Sequence, residues 1–130
     1  MRRFREAVEA RDMTAIEALL AEDVVFTSPV VFRPYPGKAI TAAILRGVMR
    51  VFEEFRYVRE FTGVDARDHA LVFEAAVDGR QVHGCDFLRV NDEGLIAELT
   101  VMVRPLSGAT VLAEAMAAQF ERIEREATGG

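Results

Sequence analysis

Val82-His83-Gly84-Cys85-Asp86-Phe87-Leu88-Arg89-Val90, then Asn91-Asp92-Glu93-Gly94, then Leu95 to Arg104, reads as a strand, a turn and a second strand. Side chains along a strand point alternately to opposite faces. Asp86 therefore shares a face with Val82, Gly84, Leu88 and Val90, and that face carries no other polar side chain. An ionisable group on an apolar face must find hydrogen-bond partners or lose its charge. Asp86 is the leading candidate for chemistry on these grounds. Outward from this hairpin, Phe55 to Val64 and Ala70 to Val77 are also strand-like. Short turns at Asp65-Ala66-Arg67-Asp68 and Asp78-Gly79-Arg80 join the runs, so four strands form an antiparallel meander.

Upstream, Phe4, Val8 and Arg11 begin a helical pattern, and Asp12 has the chemistry of an N-cap for a helix from Met13 to Leu20. Val24 to Ser28 is a short strand stopped by Pro29, and the three prolines between Pro29 and Gly37 require an irregular loop. Lys38 to Glu53 is a helix with the stripe Ile40, Ile44, Val48, Val51 and Phe52. Pro105 ends the sheet. Ser107 to Ala127 is a last helix with Leu112, Ala115, Met116, Gln119, Phe120 and Ile123 on one side. Helices followed by a meander predict an α+β fold. The expected architecture is a curved antiparallel sheet of four to six strands, wrapped round the N-terminal helices into a cone with an internal pocket. One domain over residues 1–130 is expected, with a cone core at 1–105 and a C-terminal helix at 106–127.

The chain has 130 residues, enough to bury a core without disulfides or metal. Its net charge of −5 argues against nucleic acid and anionic membranes as partners. Cys85 is the single cysteine, and no apolar run approaches the roughly 18 residues of a membrane span. The N-terminus lacks the apolar stretch of a signal peptide, so a cytoplasmic location is expected. His83 and Cys85 face away from Asp86 along the strand, and His69 sits in a turn, so neither a metal site nor a cofactor is expected. The second face of the sheet carries Glu74, His83, Cys85, Phe87, Arg89, Glu98 and Arg104 by parity. Mixed charges around an aromatic suit a homodimer interface.

Two stretches carry a family resemblance. One runs from Phe4-Arg5-Glu6-Ala7-Val8 through Asp12, Ala15-Ile16 and Ala21-Glu22-Asp23 to Ser28-Pro29 and Gly37; the other is Asp86 to Ile96. The order of elements resembles the nuclear transport factor 2-like superfamily, which includes ketosteroid isomerases, SnoaL-like polyketide cyclases and limonene epoxide hydrolases. The resemblance implies a cone-shaped fold. It also places Asp86 where the isomerases keep a carboxylic acid protonated by its apolar surroundings, so that it can donate in an oxyanion hole. The same resemblance implies losses. The isomerase base position is Ser28, its oxyanion-hole tyrosine is Phe4, and a supporting tyrosine is Leu45. The catalytic aspartate of SnoaL-like cyclases falls near Val101. Ketosteroid isomerisation is therefore not expected.

The expected ligand is a hydrophobic small molecule. Asp86 is the candidate catalytic residue, and Phe4, Phe26, Ser28, Phe32, Tyr35, Leu45, Tyr57, Phe73, Leu88, Val101 and Val103 are candidate ligand contacts. Tyr57 shares strand parity with Phe55, Arg59 and Phe61. Two functions are open at this point. One is a cofactor-independent isomerase, cyclase, lyase or hydrolase acting through Asp86 on a polyketide-, terpene- or steroid-like molecule. The other is a non-catalytic ligand-binding or dimerisation module.

Overall fold

Two short helices open the chain, α1 (Arg2–Glu9) and α2 (Met13–Ala18). A computed structural model describes residues 1–129. At the end of α1 the Asp12 N–H donates to the Ala7 carbonyl at 2.9 Å and the Arg11 N–H to the Val8 carbonyl at 3.0 Å. Arg11 adopts the left-handed conformation, with φ of 55°. The Asp12 carboxylate then accepts from the Ala15 N–H at 3.1 Å, which makes it the N-cap its position suggests. Phe4, Ala7 and Ile16 are the buried residues of these helices.

Strand β1 (Leu20–Thr27) starts earlier than the helical pattern through Leu20 predicts. The reason is tertiary: Leu20 pairs with Ile96, and the Ile96 N–H donates to the Leu19 carbonyl at 2.8 Å. The Pro-rich loop contains a two-residue strand, β2 (Tyr35–Pro36), paired antiparallel with Val25 and Phe26. Helix α3 (Lys38–Val51) stops before Glu53, because Phe52 is already extended and Glu53 pairs with Ala76. The meander follows as β3 (Glu53–Thr62), β4 (Asp68–Val77), β5 (Arg80–Val90) and β6 (Ile96–Arg104), and α4 (Leu106–Ala127) closes the chain.

The six strands run in the order β2-β1-β6-β5-β4-β3. The meander is antiparallel as expected, whereas β1 joins it parallel to β6, so the sheet as a whole is mixed. Parallel neighbours need a long crossover, and α3 with β3, β4 and β5 supplies it. The sheet does not close. A register irregularity between Tyr57 and Arg59 in β3 overturns the parity inferred for that strand. Tyr57 points into the core while Arg59 and Phe61 face out. Such bulges bend a strand and increase its twist. On β5 the alternation is regular: Val82, Gly84, Asp86 and Leu88 are buried, and His83, Cys85, Phe87 and Arg89 lie on the other face.

The helices cover the concave face. Helix α4 lies on α3 at Gly47, where an added Cβ would come within 2.8 Å of Ile123 Cδ1. The missing side chain lets the two helices approach, and Ile123 is fully buried there. Among the described residues no helix is long and apolar enough to cross a membrane.

Candidate active site

Strand β5 lies inside the sheet, with β4 and β6 on either side, and Asp86 stands opposite Leu71 on one and Val101 on the other. One row along, Phe73 stands opposite Gly84, and Tyr57 stands opposite Phe73. A Cβ on Gly84 would run into the Phe73 ring and lie 2.7 Å from the Met102 carbonyl oxygen. Glycine at this position therefore lets the Phe73 ring lie against the strand. Tyr57 packs edge-on against Phe55 at 5.0 Å and against Phe73 at 6.4 Å, while Phe55 and Phe73 stack at 4.7 Å. These rings fix the phenol in direction. Its Oη donates to Asp86 Oδ2 at 2.6 Å, a short bond of the charge-assisted kind. Among the described residues Tyr57 is the one hydrogen-bond partner of the Asp86 carboxyl.

The electrostatics of this pair follow from its surroundings. Asp86 is 7% exposed. Burial raises its pKa from 3.8 to about 7, and the bond from Tyr57 opposes that rise. Burial, and then the nearby Asp86 charge, push the Tyr57 phenol well above its ordinary value of 10.0. The proton on Tyr57 is thus retained near neutrality and Asp86 is the member that titrates. A carboxyl with a pKa near the working pH can both give and take a proton. When it is protonated it can also donate a hydrogen bond to a ligand oxygen.

The pair borders a cavity of about 90 Å³ between the sheet and the helices. Eight of the residues expected at the site line it: Asp86, Phe4, Phe26, Ser28, Leu45, Tyr57, Phe73 and Val101. The four positions where the resemblance implied polar groups, Phe4, Ser28, Leu45 and Val101, are all on the wall. Ser28 Oγ accepts from the Val30 N–H at 3.1 Å, which leaves its hydroxyl proton free to donate. Four expected contacts lie elsewhere. Phe32 is 100% exposed on the Pro-rich loop. Leu88 is buried opposite Leu99 and packs in the core, and Val103 packs against that core opposite Gly84. Tyr35 sits between Phe26 and Phe120, at 6.5 and 6.4 Å, and lines a separate groove under α4.

Apart from Phe4 and Leu45, the helical wall was not identified by sequence reasoning. Ile44, Val48 and Met49 of α3 and Leu112 and Met116 of α4 line the cavity. Their helical spacing is visible in the sequence, but an apolar stripe looks the same over a void and over a filled core. Helix α4 covers the cavity. Arg11 was also missed as a wall residue, and it stands at the rim.

A family model for the SnoaL-like domain matches residues 1–99. This chain belongs to the SnoaL-like family. Its fold is correspondingly the cone of the nuclear transport factor 2-like superfamily. The SnoaL-like chain is similar to a steroid delta-isomerase from Pseudomonas aeruginosa, with 37% identity, a TM-score of 0.87, and coverage of 92% of this chain and 87% of that one. It is similar to an uncharacterised bacterial protein of cystatin-like fold from Silicibacter pomeroyi, with 34% identity, a TM-score of 0.85, and coverage of 96% and 92%. A candidate polyketide cyclase from Pseudomonas putida shares the fold at 23% identity and a TM-score of 0.68, over 82% of this chain and 90% of that one. No curated protein matches the sequence. Within this SnoaL-like chain, a single carboxyl and a single phenol supply the titratable groups deep in the cavity, with Arg11 at its rim.

Proposed function

We propose that this SnoaL-like protein binds a small apolar carbonyl compound and moves a proton on it through Asp86. The observation that carries this reading is the 2.6 Å bond from Tyr57 to Asp86 at the wall of an otherwise apolar cavity. A ligand oxygen beside Asp86 meets a carboxyl that donates when protonated. Oxyanion stabilisation by preorganised donors in a dry site is the largest single effect in many such reactions. Enolisation and its relatives, including isomerisation and cyclisation, fit an apolar site with one carboxyl and one phenol on its wall. The similarity to a steroid delta-isomerase supports this class of chemistry. Ser28 stands where the resemblance places the base, so the ionised Asp86 takes the ligand's α-proton, then as the carboxylic acid donates a hydrogen bond to the enolate oxygen, and finally returns the proton to carbon.

Asp86→Asn tests the proposal. Its carboxamide keeps the Tyr57 bond and loses the transferable proton. Exchange of α-hydrogens of small apolar ketones into deuterated water, followed by NMR, should fall by about 100-fold or more in the variant. Equal rates would remove Asp86 from catalysis.

A second reading, a ligand carrier without turnover, is favoured by the Ser28 hydroxyl at the base position and by Phe4 and Leu45 at the tyrosine positions. Native mass spectrometry of protein from its source separates the two: a stoichiometric, chemically unchanged passenger marks a carrier.

The protein is further proposed to be a homodimer in the cytoplasm, joined through the outer sheet face around His83, Cys85, Phe87 and Arg89. Phe87 at 42% and Met102 at 58% exposure support it, because such a face is of the kind interfaces cover. Light scattering at micromolar concentration reads it directly, and a monomer refutes it.

A further inference from the structure

Beside the cavity is a second recess whose character is opposite. It is lined by Arg11, Arg46, Arg50 and Arg122, and it shares Arg11, Met49 and Phe52 with the cavity wall. The chain as a whole carries a net charge of −5, so four guanidiniums at one mouth are a local reversal of sign. Their counter-charges are too few. Glu17 pairs with Arg46, and Glu126 is shared among Arg46, Arg50 and Arg122. Two carboxylates against four cations leave two positive charges over.

Two of the arginines have specific unmet capacity. Arg50 donates from Nε to Gln119 Oε1 at 2.7 Å and forms an ion pair through Nη1 with Glu126 at 3.0 Å, while its Nη2 is buried without an acceptor among the described residues. A buried donor without a partner costs free energy that a ligand oxygen would recover. Arg11 has no carboxylate partner among the described residues, and its guanidinium reaches only the Met49 carbonyl oxygen. Its backbone is also unusual. With the 6→1 and 5→2 hydrogen bonds that end α1, Arg11 fills the left-handed position that glycine ordinarily takes at a helix end. A bulky residue held in that conformation at the rim of a cavity is the kind of local strain found at binding sites.

We infer that the arginine recess binds the carboxylate end of the ligand, so that the ligand is an apolar carbonyl compound carrying an acid. Its apolar body would fill the cavity with its carbonyl at the Tyr57–Asp86 pair, and its carboxylate would lie across Arg11 and Arg50. Arginine forks match carboxylates in two-point geometry. This inference rests on the cavity being the ligand site, as proposed above.

The test compares 4-phenylbutyrate with 4-phenyl-1-butanol, which share a skeleton and differ in charge, by NMR titration of the wild-type protein, Arg11→Gly and Asp86→Asn. The acid should bind about tenfold more tightly, equivalent to roughly 1.4 kcal/mol. The ratio should fall toward one in Arg11→Gly and persist in Asp86→Asn. Arg11→Gly should fold, since glycine suits the backbone there. In the wild-type protein the acid's advantage should also shrink as NaCl rises from about 20 mM to about 500 mM, because salt screens exposed charge. Equal affinities, a ratio that survives Arg11→Gly, or a ratio indifferent to salt overturns the anion subsite and leaves the cavity as the ligand site. Binding of neither compound overturns the cavity reading, and the subsite with it.

Discussion

Asp86→Asn should make the protein more stable above neutral pH, and the gain should vanish in acid. In the folded protein the Asp86 pKa is raised to about 7 from 3.8 by burial. Between those values the folded chain holds a proton that the unfolded chain has released. Stability therefore falls as pH rises through this window, because the slope follows the difference in protons bound. Below pH ~4 both states are protonated and Asp86 costs nothing through this linkage. Above pH ~7 its ionised form is carried at full cost. About three pKa units at 1.36 kcal/mol each give roughly 4 kcal/mol. The asparagine side chain has nearly the same shape, accepts from Tyr57, and does not titrate. Urea unfolding of both proteins from about pH 4 to pH 8, at one protein concentration, isolates the effect, since all other groups cancel in the difference. With a denaturant slope near 2 kcal/mol/M, the variant should unfold about 2 M later at pH 8 and at nearly the same urea concentration at pH 4. Parallel curves across the range would refute the reasoning, since Asp86 would then be ionised at little cost.

Three further outcomes are expected. Tyr57→Phe removes the bond that holds the Asp86 pKa down, so the carboxyl carbon of Asp86 should titrate above about 7 by NMR, at a stability cost of about 1 kcal/mol. Gly84→Ala forces a methyl group against Phe73 and 2.7 Å from the Met102 carbonyl, and should cost about 2–3 kcal/mol in chemical denaturation. Val101→Phe should fill the 90 Å³ cavity, weakening apolar ligands by tenfold or more in titration while changing stability by only about 1 kcal/mol.

The meander was legible because its turns are spelled by Asp, Asn and Gly and its strands alternate cleanly, above all Val82 to Val90. The parity of that one strand placed Asp86 inward and His83, Cys85, Phe87 and Arg89 outward, as observed. The early start of β1 at Leu20 was not legible, since an apolar residue at a helical interval looks like the next turn of α2 until its partner Ile96 is known. The same limit hid the Tyr57–Asp86 pair. The two residues are 29 positions apart, and they meet because β4 carries an aromatic over Gly84 between them. Each was recognisable as a group needing a partner, but that they needed each other depends on register across three strands. Arg11 carried no sequence signal, since nothing in its neighbourhood spells a left-handed turn.

The two walls of the cavity differ in what holds them. Asp86 is on a strand hydrogen-bonded along both edges, so it can move only if β4 or β6 moves with it. The opposite wall is made largely of α1, α3 and α4, which no backbone ladder ties to the sheet; Arg5 of α1 reaches the Tyr57 carbonyl and Glu60 of β3 only through its side chain, and side-chain contacts can slide where a ladder must break. Under the proposed function, opening for a ligand belongs to the helices, and the grip on its carbonyl belongs to the sheet. On that reading the speed of exchange and the hold on the carbonyl fall to different residues, so a substitution on a helix can alter the first and leave the second in place.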